Sequence, residues 1–175
     1  MAGSDIAAAV ARAAQVFVAK PAAALQPDRP ALARWIGGLK VEARADGDAA
    51  VVTDLTAALG GAGEGVTPGW LARAALASCA ATCVALAAAR AGIALERLEA
   101  EARSRSDARG LLGLEDASGR IDPGPGEIEL VVRLAAPGAT SAQLEALAAE
   151  AQAVSPVTAL FEQARPVRLT IETGT

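Results

Sequence analysis

From Pro68 to Gly92 the chain carries only two charges, Arg73 and Arg90, and the sixteen residues between them are mostly Ala, interrupted by Ser78, Cys79, Thr82 and Cys83. Thr67 suits an N-cap, Pro68 the first helical position and Gly92 a left-handed C-terminal cap, so the stretch reads as one long helix. Its apolar run falls short of the roughly 20 strongly apolar residues that a membrane span needs. A buried core helix is the reading that remains, and a helix apolar all round must be covered on every side. At 175 residues the chain has the length of a single domain, able to bury roughly 70% of the surface of its unfolded state. One small sheet covers only one side of such a helix, so a second copy of the chain, a homodimer partner, is expected to supply the other layer.

The flanking segments alternate in period. Ile6, Val10, Ala13, Ala14, Phe17 and Val18 recur at helical spacing, with Ser4 as the expected N-cap and Pro21 as the stop. A Pro-rich connector, PAAALQPDRP, runs to residue 30. Strands are expected over Leu32–Trp35, Leu39–Ala45 and Ala49–Leu55, broken at Gly37-Gly38 and at an Asp46-Gly47 hairpin. Beyond the long helix lie strands at Leu98–Ser106 and Glu127–Leu134 with a Gly-rich turn region between them. Thr140 and Gln143 have capping-box spacing for a helix through Ala153, Ser155-Pro156 opens a short helix, and Val167–Glu172 is expected to close the chain as a strand. Helices and strands segregated in this way give an α+β fold. Residues 1–30 form an N-terminal helix and connector, and residues 31–175 the main domain.

Composition narrows the chemistry. With no His there is no Ser-His-Asp triad, no imidazole base and no His-rich zinc site. A net charge of -4 with 2% aromatic residues excludes the basic, aromatic face that nucleic acid requires. No basic segment precedes an apolar run at the N-terminus, so no membrane or export signal is expected. Two cysteines in such a chain point to a reducing cytoplasm. GGAGEG at 60–65 lacks the Lys-Ser/Thr ending of a phosphate loop and is read as a crossing loop whose amides can attract an anion. Glu99/Glu101 and Glu127/Glu129, interleaved with Arg103, Arg105 and Arg133, read as a solvated sheet face. No metal site or cofactor is expected.

Cys79 and Cys83 are the candidate reactive groups. Four residues apart on a helix, their Cβ atoms stand about 5–6 Å apart, whereas a disulfide wants about 3.5–4.5 Å. A direct bridge therefore needs helix distortion, and the alternative role for both is as small buried hydrophobes. Cys79 lies three turns into the helix, beyond the reach of its dipole, so lowering its pKa is expected to require an Arg.

The segment TDLTAALGGAGEGVTPGWLARAALASC, Thr53 to Cys79, resembles the OsmC/Ohr superfamily, the osmotically inducible and organic hydroperoxide resistance proteins. Asp54, Gly60-Gly61, Pro68, Leu71 and Cys79 fall in the family's register, and ARAGI (89–93) and SPVTALFEQARPVRLTIE (155–172) resemble its later segments, so the likeness spans about Trp35 to Glu172. The resemblance implies antiparallel sheets around long central helices in an intertwined homodimer, with sites at the subunit interface. It implies a peroxidatic Cys79 activated by an Arg and a Glu and resolved by a second Cys. Three positions depart from the pattern: Ser155 stands at the resolving Cys, Gly69 at the Glu and Leu39 at the Arg, with Lys40 or Arg44 as substitutes. Two functions follow as expectations. One is reduction of an apolar organic hydroperoxide through Cys79, with Cys83 or an external thiol reductant completing the cycle. The other is non-catalytic binding of a small apolar or acyl ligand at the dimer interface.

Overall fold

The computed structural model describes residues 3–47, 49–163 and 165–174. Helix α1 spans Gly3–Ala19. It begins one residue before the expected cap, so Ser4 lies inside the helix, and the side chain of Ser4 is outside what the structure describes. Pro21, which has no amide hydrogen to continue the helix, starts instead a single 3-10 turn, Pro21–Ala24.

Strands β1 (Leu32–Gly37), β2 (Lys40–Arg44) and β3 (Ala50–Thr53) form an antiparallel sheet in that order. The β1–β2 hairpin pairs Gly37 with Lys40 across a two-residue loop, Gly38-Leu39. Gly38 has φ 56, which glycine adopts without cost, and the indole nitrogen of Trp35 donates to its carbonyl at 2.9 Å. Leu32, Trp35 and Ile36 of β1 stay open to solvent, Trp35 at 70%.

After β3 the chain is tied down by one buried carboxylate. Asp54 is 1% exposed, and it accepts amide hydrogens from Leu55 (2.8 Å), Ala62 (3.0 Å) and Glu64 (3.2 Å). The loop amides do gather around an anion, and the anion is the chain's own. Gly61 and Gly65 are forced by this closeness, since a Cβ on either would meet backbone atoms at 1.9 Å and 2.7 Å. The loop delivers Thr67, whose hydroxyl accepts from the Trp70 amide at 3.1 Å, to the start of helix α2 (Pro68–Ala91). Gly92 ends α2 at φ 68, as its position in the sequence predicts.

Strand β4 (Arg97–Ser106) pairs antiparallel with β7 (Pro125–Ala135). Between them, the turn region carries two elements that the sequence reading leaves out: a one-turn helix α3 (Ala108–Leu111) and a small hairpin of β5 (Glu115–Asp116) with β6 (Gly119–Arg120). Period two sorts the β4–β7 ribbon into faces. Leu98, Ala100, Ala102 and Ser104 stand opposite Leu134, Val132, Leu130 and Ile128 on the face turned to α2. On the other face Glu101 is bound by Arg103 (2.8 Å) and Arg133 (2.9 Å), and Arg103 also reaches Glu129 (3.3 Å), the solvated charged surface expected from the sequence.

Helix α4 (Ser141–Ala153) begins in the predicted capping box, Thr140 with Gln143, and α5 (Pro156–Glu162) follows with Ser155 as its cap. The buried apolar core is a ridge of Leu76, Ala80, Val84 and Ala88 along α2 together with Leu147 and Ala151 of α4, both at i, i+4 spacing. α1 packs on α2 as well. Among the described residues α2 is the one helix long and apolar enough to cross a membrane, and its ridge, packed against α4 and β4, makes it a core helix. The expected closing strand is absent. Residues 165–174 form no regular element and pair with no strand, with Val167 93% exposed; a strand exists only where a second strand accepts its hydrogen bonds.

Two measurements follow. Leu76→Ala is expected to lower stability by about 2–5 kcal/mol, read from the urea midpoint, because it opens a cavity at the widest point of the ridge. Burial pushes the Asp54 carboxyl up, but the amides of Glu64, Leu55, Ala62 and Gly63 outweigh it and hold it below the usual range. The two arginines hold Glu101 down at about 2, against an ordinary 4.5. Both groups bind protons more tightly in the unfolded chain, so their stabilisation is present above about pH 4.5 and is lost as pH falls toward 2. Urea midpoints across that range should drop with acid, and Asp54→Asn should flatten the drop; an unchanged acid limb would refute the role given to Asp54.

Candidate functional site

Cys79 sits in the middle of α2, one residue before Ala80 of the buried ridge and one after Ser78 on the open stripe. That position leaves its side chain half-buried, facing the junction between α4 and α5. Cys83 lies one turn on, also half-buried, and both thiols are free.

The junction is built by local rules. α4 ends at Ala153 and Pro156 cannot continue it, so Val154 and Ser155 make the corner. Ser155 is 2% exposed, and its hydroxyl accepts the Thr158 amide at 3.3 Å as the cap of α5. The same hydroxyl lies 3.4 Å from Cys79 Sγ. The Thr158 hydroxyl reaches Ser155 Oγ at 2.9 Å and Gln152 Oε1 at 3.1 Å. Sulfur, serine, threonine and glutamine thus form one chain of polar contacts under α2.

These contacts separate the two thiols. Burial pushes the Cys79 thiol up, but the Ser155 hydroxyl, the Val157 backbone N–H and the Cys83 thiol all favour its thiolate, and the balance lies below the usual thiol range. Cys83 is pushed the other way, first by burial and then by the charge on Cys79. Cys79 is therefore the more acidic of the two thiols.

Within the single chain, the side chain at hydrogen-bond distance from Cys79 among the described residues is the Ser155 hydroxyl, not a cation. The candidate substitutes are engaged elsewhere. Lys40 is paired with Glu64 across the Asp54 loop, and Arg44 with Glu42. Leu39, at the tip of the β1–β2 hairpin, leans toward Gly60. Gly69 lies in the first turn of α2, where a Cβ would meet only Arg73 Nη1 at 3.7 Å and Thr67 Oγ1 at 4.0 Å, so nothing steric excludes a Glu there. Arg73 itself donates to Ser104 Oγ at 3.1 Å. Of the residues singled out from sequence, the fold brings Cys79, Cys83 and Ser155 together and leaves Leu39 and Gly69 in other contacts. Thr158, Val157 and Gln152 complete the site and were not singled out. The Ser-Pro-x-Thr spacing of a helix cap carries a signal for Thr158 alone.

No curated protein matches the chain. Solved structures match its fold. An OsmC-like protein from Mycoplasma pneumoniae superposes with a TM-score of 0.65 at 14% identity, over 79% of this chain and 89% of that one. An organic hydroperoxide resistance protein from Elizabethkingia anophelis gives 0.57 at 20% identity, over 78% and 89%. The organic hydroperoxide resistance protein OsmC from Legionella pneumophila gives 0.53 at 24%, over 78% and 91%. The antiparallel sheets about a long helix are those of this fold. The OsmC-like protein family matches residues 61–171, more than half of the sequence and the whole of α2 with its Ser155 junction, and the chain belongs to that family.

Proposed function

We propose that the protein reduces small apolar organic hydroperoxides with Cys79 as the attacking thiol. One observation carries this reading: a half-buried thiol at the family's cysteine register lies 3.4 Å from the buried hydroxyl of Ser155. The thiolate attacks the distal oxygen of the hydroperoxide. A sulfur–oxygen bond forms as the oxygen–oxygen bond breaks, and the departing alkoxide takes up a proton and leaves as an alcohol. Sulfur is oxidised by two electrons to a sulfenic acid. An external dithiol then returns two electrons, leaving as its disulfide, while the oxygen leaves as water and Cys79 is regenerated. Cys83 is a poor resolving group because α2 runs unbroken through both residues, and at i, i+4 the two Cβ atoms stand too far apart for a relaxed bridge. The free thiols at Cys79 and Cys83 suit a reducing cytoplasm.

The working unit in this reading is a homodimer. The chain exposes 12878 Å², whereas a compact monomer of 17.4 kDa exposes about 7,900 Å². The excess is ample for an obligate interface. It includes the open stripe of α2, β1 with Trp35, and the unpaired segment with Val167, Leu169 and Ile171.

Reduced protein treated with cumene hydroperoxide is expected to form sulfenic acid at Cys79 within the first turnover, seen by dimedone adduct mass, and Cys79→Ser to form none. Oxidation no faster than that of free cysteine would sink the proposal. Ser155→Cys is expected to convert the sulfenic acid into a disulfide between Cys79 and the introduced thiol, since the native Sγ–Oγ distance is 3.4 Å. Light scattering at micromolar concentration should return twice 17.4 kDa; a monomer would remove the second copy from the account.

A further inference from the structure

The amide nitrogen of Gln152 is buried and has no hydrogen-bond partner among the described residues. Its other end, Oε1, lies 3.1 Å from Thr158 Oγ1. A half-turn of the amide exchanges the two ends. The nitrogen then donates to Thr158 Oγ1, an orphaned N–H is satisfied, and a carbonyl oxygen, which tolerates lack of a partner better, takes the empty place.

That exchange orders every proton in the chain. Thr158 Oγ1, having accepted from Gln152, gives its single proton to Ser155 Oγ at 2.9 Å. Ser155 Oγ now accepts from both the hydroxyl and the amide of Thr158, so its own proton turns to the thiols of α2, of which Cys79 Sγ lies at 3.4 Å. Ser155 is 2% exposed, so water does not compete for that proton. In the opposite orientation Thr158 gives its proton to Gln152, and Ser155 is free to turn toward Thr158 and away from the sulfur.

We propose that Gln152, Thr158 and Ser155 form a relay of hydrogen-bond donors that ends on the sulfur of Cys79. They are positioning residues, and the inference rests on Cys79 being the reactive thiol. Donation to the anionic form stabilises the thiolate, and a bond to a charged acceptor is worth more than a neutral one. The relay accounts for Ser155 where a second thiol would otherwise stand: a serine there gives up resolution of the sulfenic acid and supplies a donor that a buried thiol supplies only weakly.

The test is the pH profile of Cys79 alkylation by iodoacetamide in the full-length reduced protein, with the modified residue located by peptide fragmentation. Ser155→Ala is expected to slow alkylation at pH 7 about tenfold and to move the midpoint of the profile upward. Thr158→Val keeps the capping amide and the shape of the side chain but removes its hydroxyl; it should slow the reaction severalfold, and Thr158→Ser should restore it. An unchanged profile in Ser155→Ala would overturn the proposal. So would a Thr158→Val protein that alkylates like the unsubstituted chain at every pH, because Ser155 would then act alone. Alkylation reads ionisation without any peroxide. A relay confirmed here in a protein that cumene hydroperoxide does not oxidise would refute the peroxidase reading and leave the relay standing.

Discussion

A helix of 24 residues with Arg73 and Arg90 as its only charges has to be covered, and the rest of the chain is arranged by that need. Leu76 and Val84 alternate with Ala80 and Ala88 along the buried ridge, and the small residues let α4 and the β4–β7 ribbon approach closely. The ribbon answers with an apolar face of alternate residues, Leu98 to Ser104 against Leu134 to Ile128, and sends its charges outward. Cys79 is placed by the same geometry. A residue next to the ridge is neither sealed nor open, and here it falls under the corner where α4 gives way to α5. Opposite the ridge, Ala75, Ser78, Thr82 and Leu86 stay uncovered in a single chain, and so does the sheet of β1–β3. The requirement that defines the fold is met on one side only within a single chain, and the proposed homodimer answers it.

A second theme is how the chain holds its anions. Most described ion pairs lie on the surface, as with Glu101 among Arg103 and Arg133, where pairing contributes modestly and is weakened by salt. The two groups that matter in the interior use neutral dipoles instead. Asp54 is surrounded by backbone amides, and Cys79 by a hydroxyl and an amide. Dipoles fixed by backbone and caps favour the charged form without bringing a second buried charge that would itself need solvation.

Where local rules decide, the sequence was legible. Thr67 and Gly92 bound α2, Thr140 and Gln143 start α4, and Ser155 caps α5, each because a side chain or a missing Cβ satisfies backbone groups within a few residues. The family register singled out Cys79 and Ser155. Legibility failed where a partner was required. The alternation of Val167, Leu169 and Ile171 is that of a strand, but alternation supplies only a face, and hydrogen bonds must come from another strand. The α3 turn and the β5–β6 hairpin were missed for the opposite reason: each is too short to show a period.

The sequence by itself determined the helix, the strand faces and the caps, because periodicity and capping act over one or two turns, and its family register pointed to Cys79. Only the tertiary structure decided what surrounds that thiol. Cys79 and Ser155 are 76 residues apart, and no spacing rule links them; they meet because α2 must bury its ridge against α4, and the corner leaving α4 then carries a hydroxyl to the sulfur. The same packing sent Lys40 to Glu64 and Arg73 to Ser104 within the chain, pairings that no local spacing rule announces.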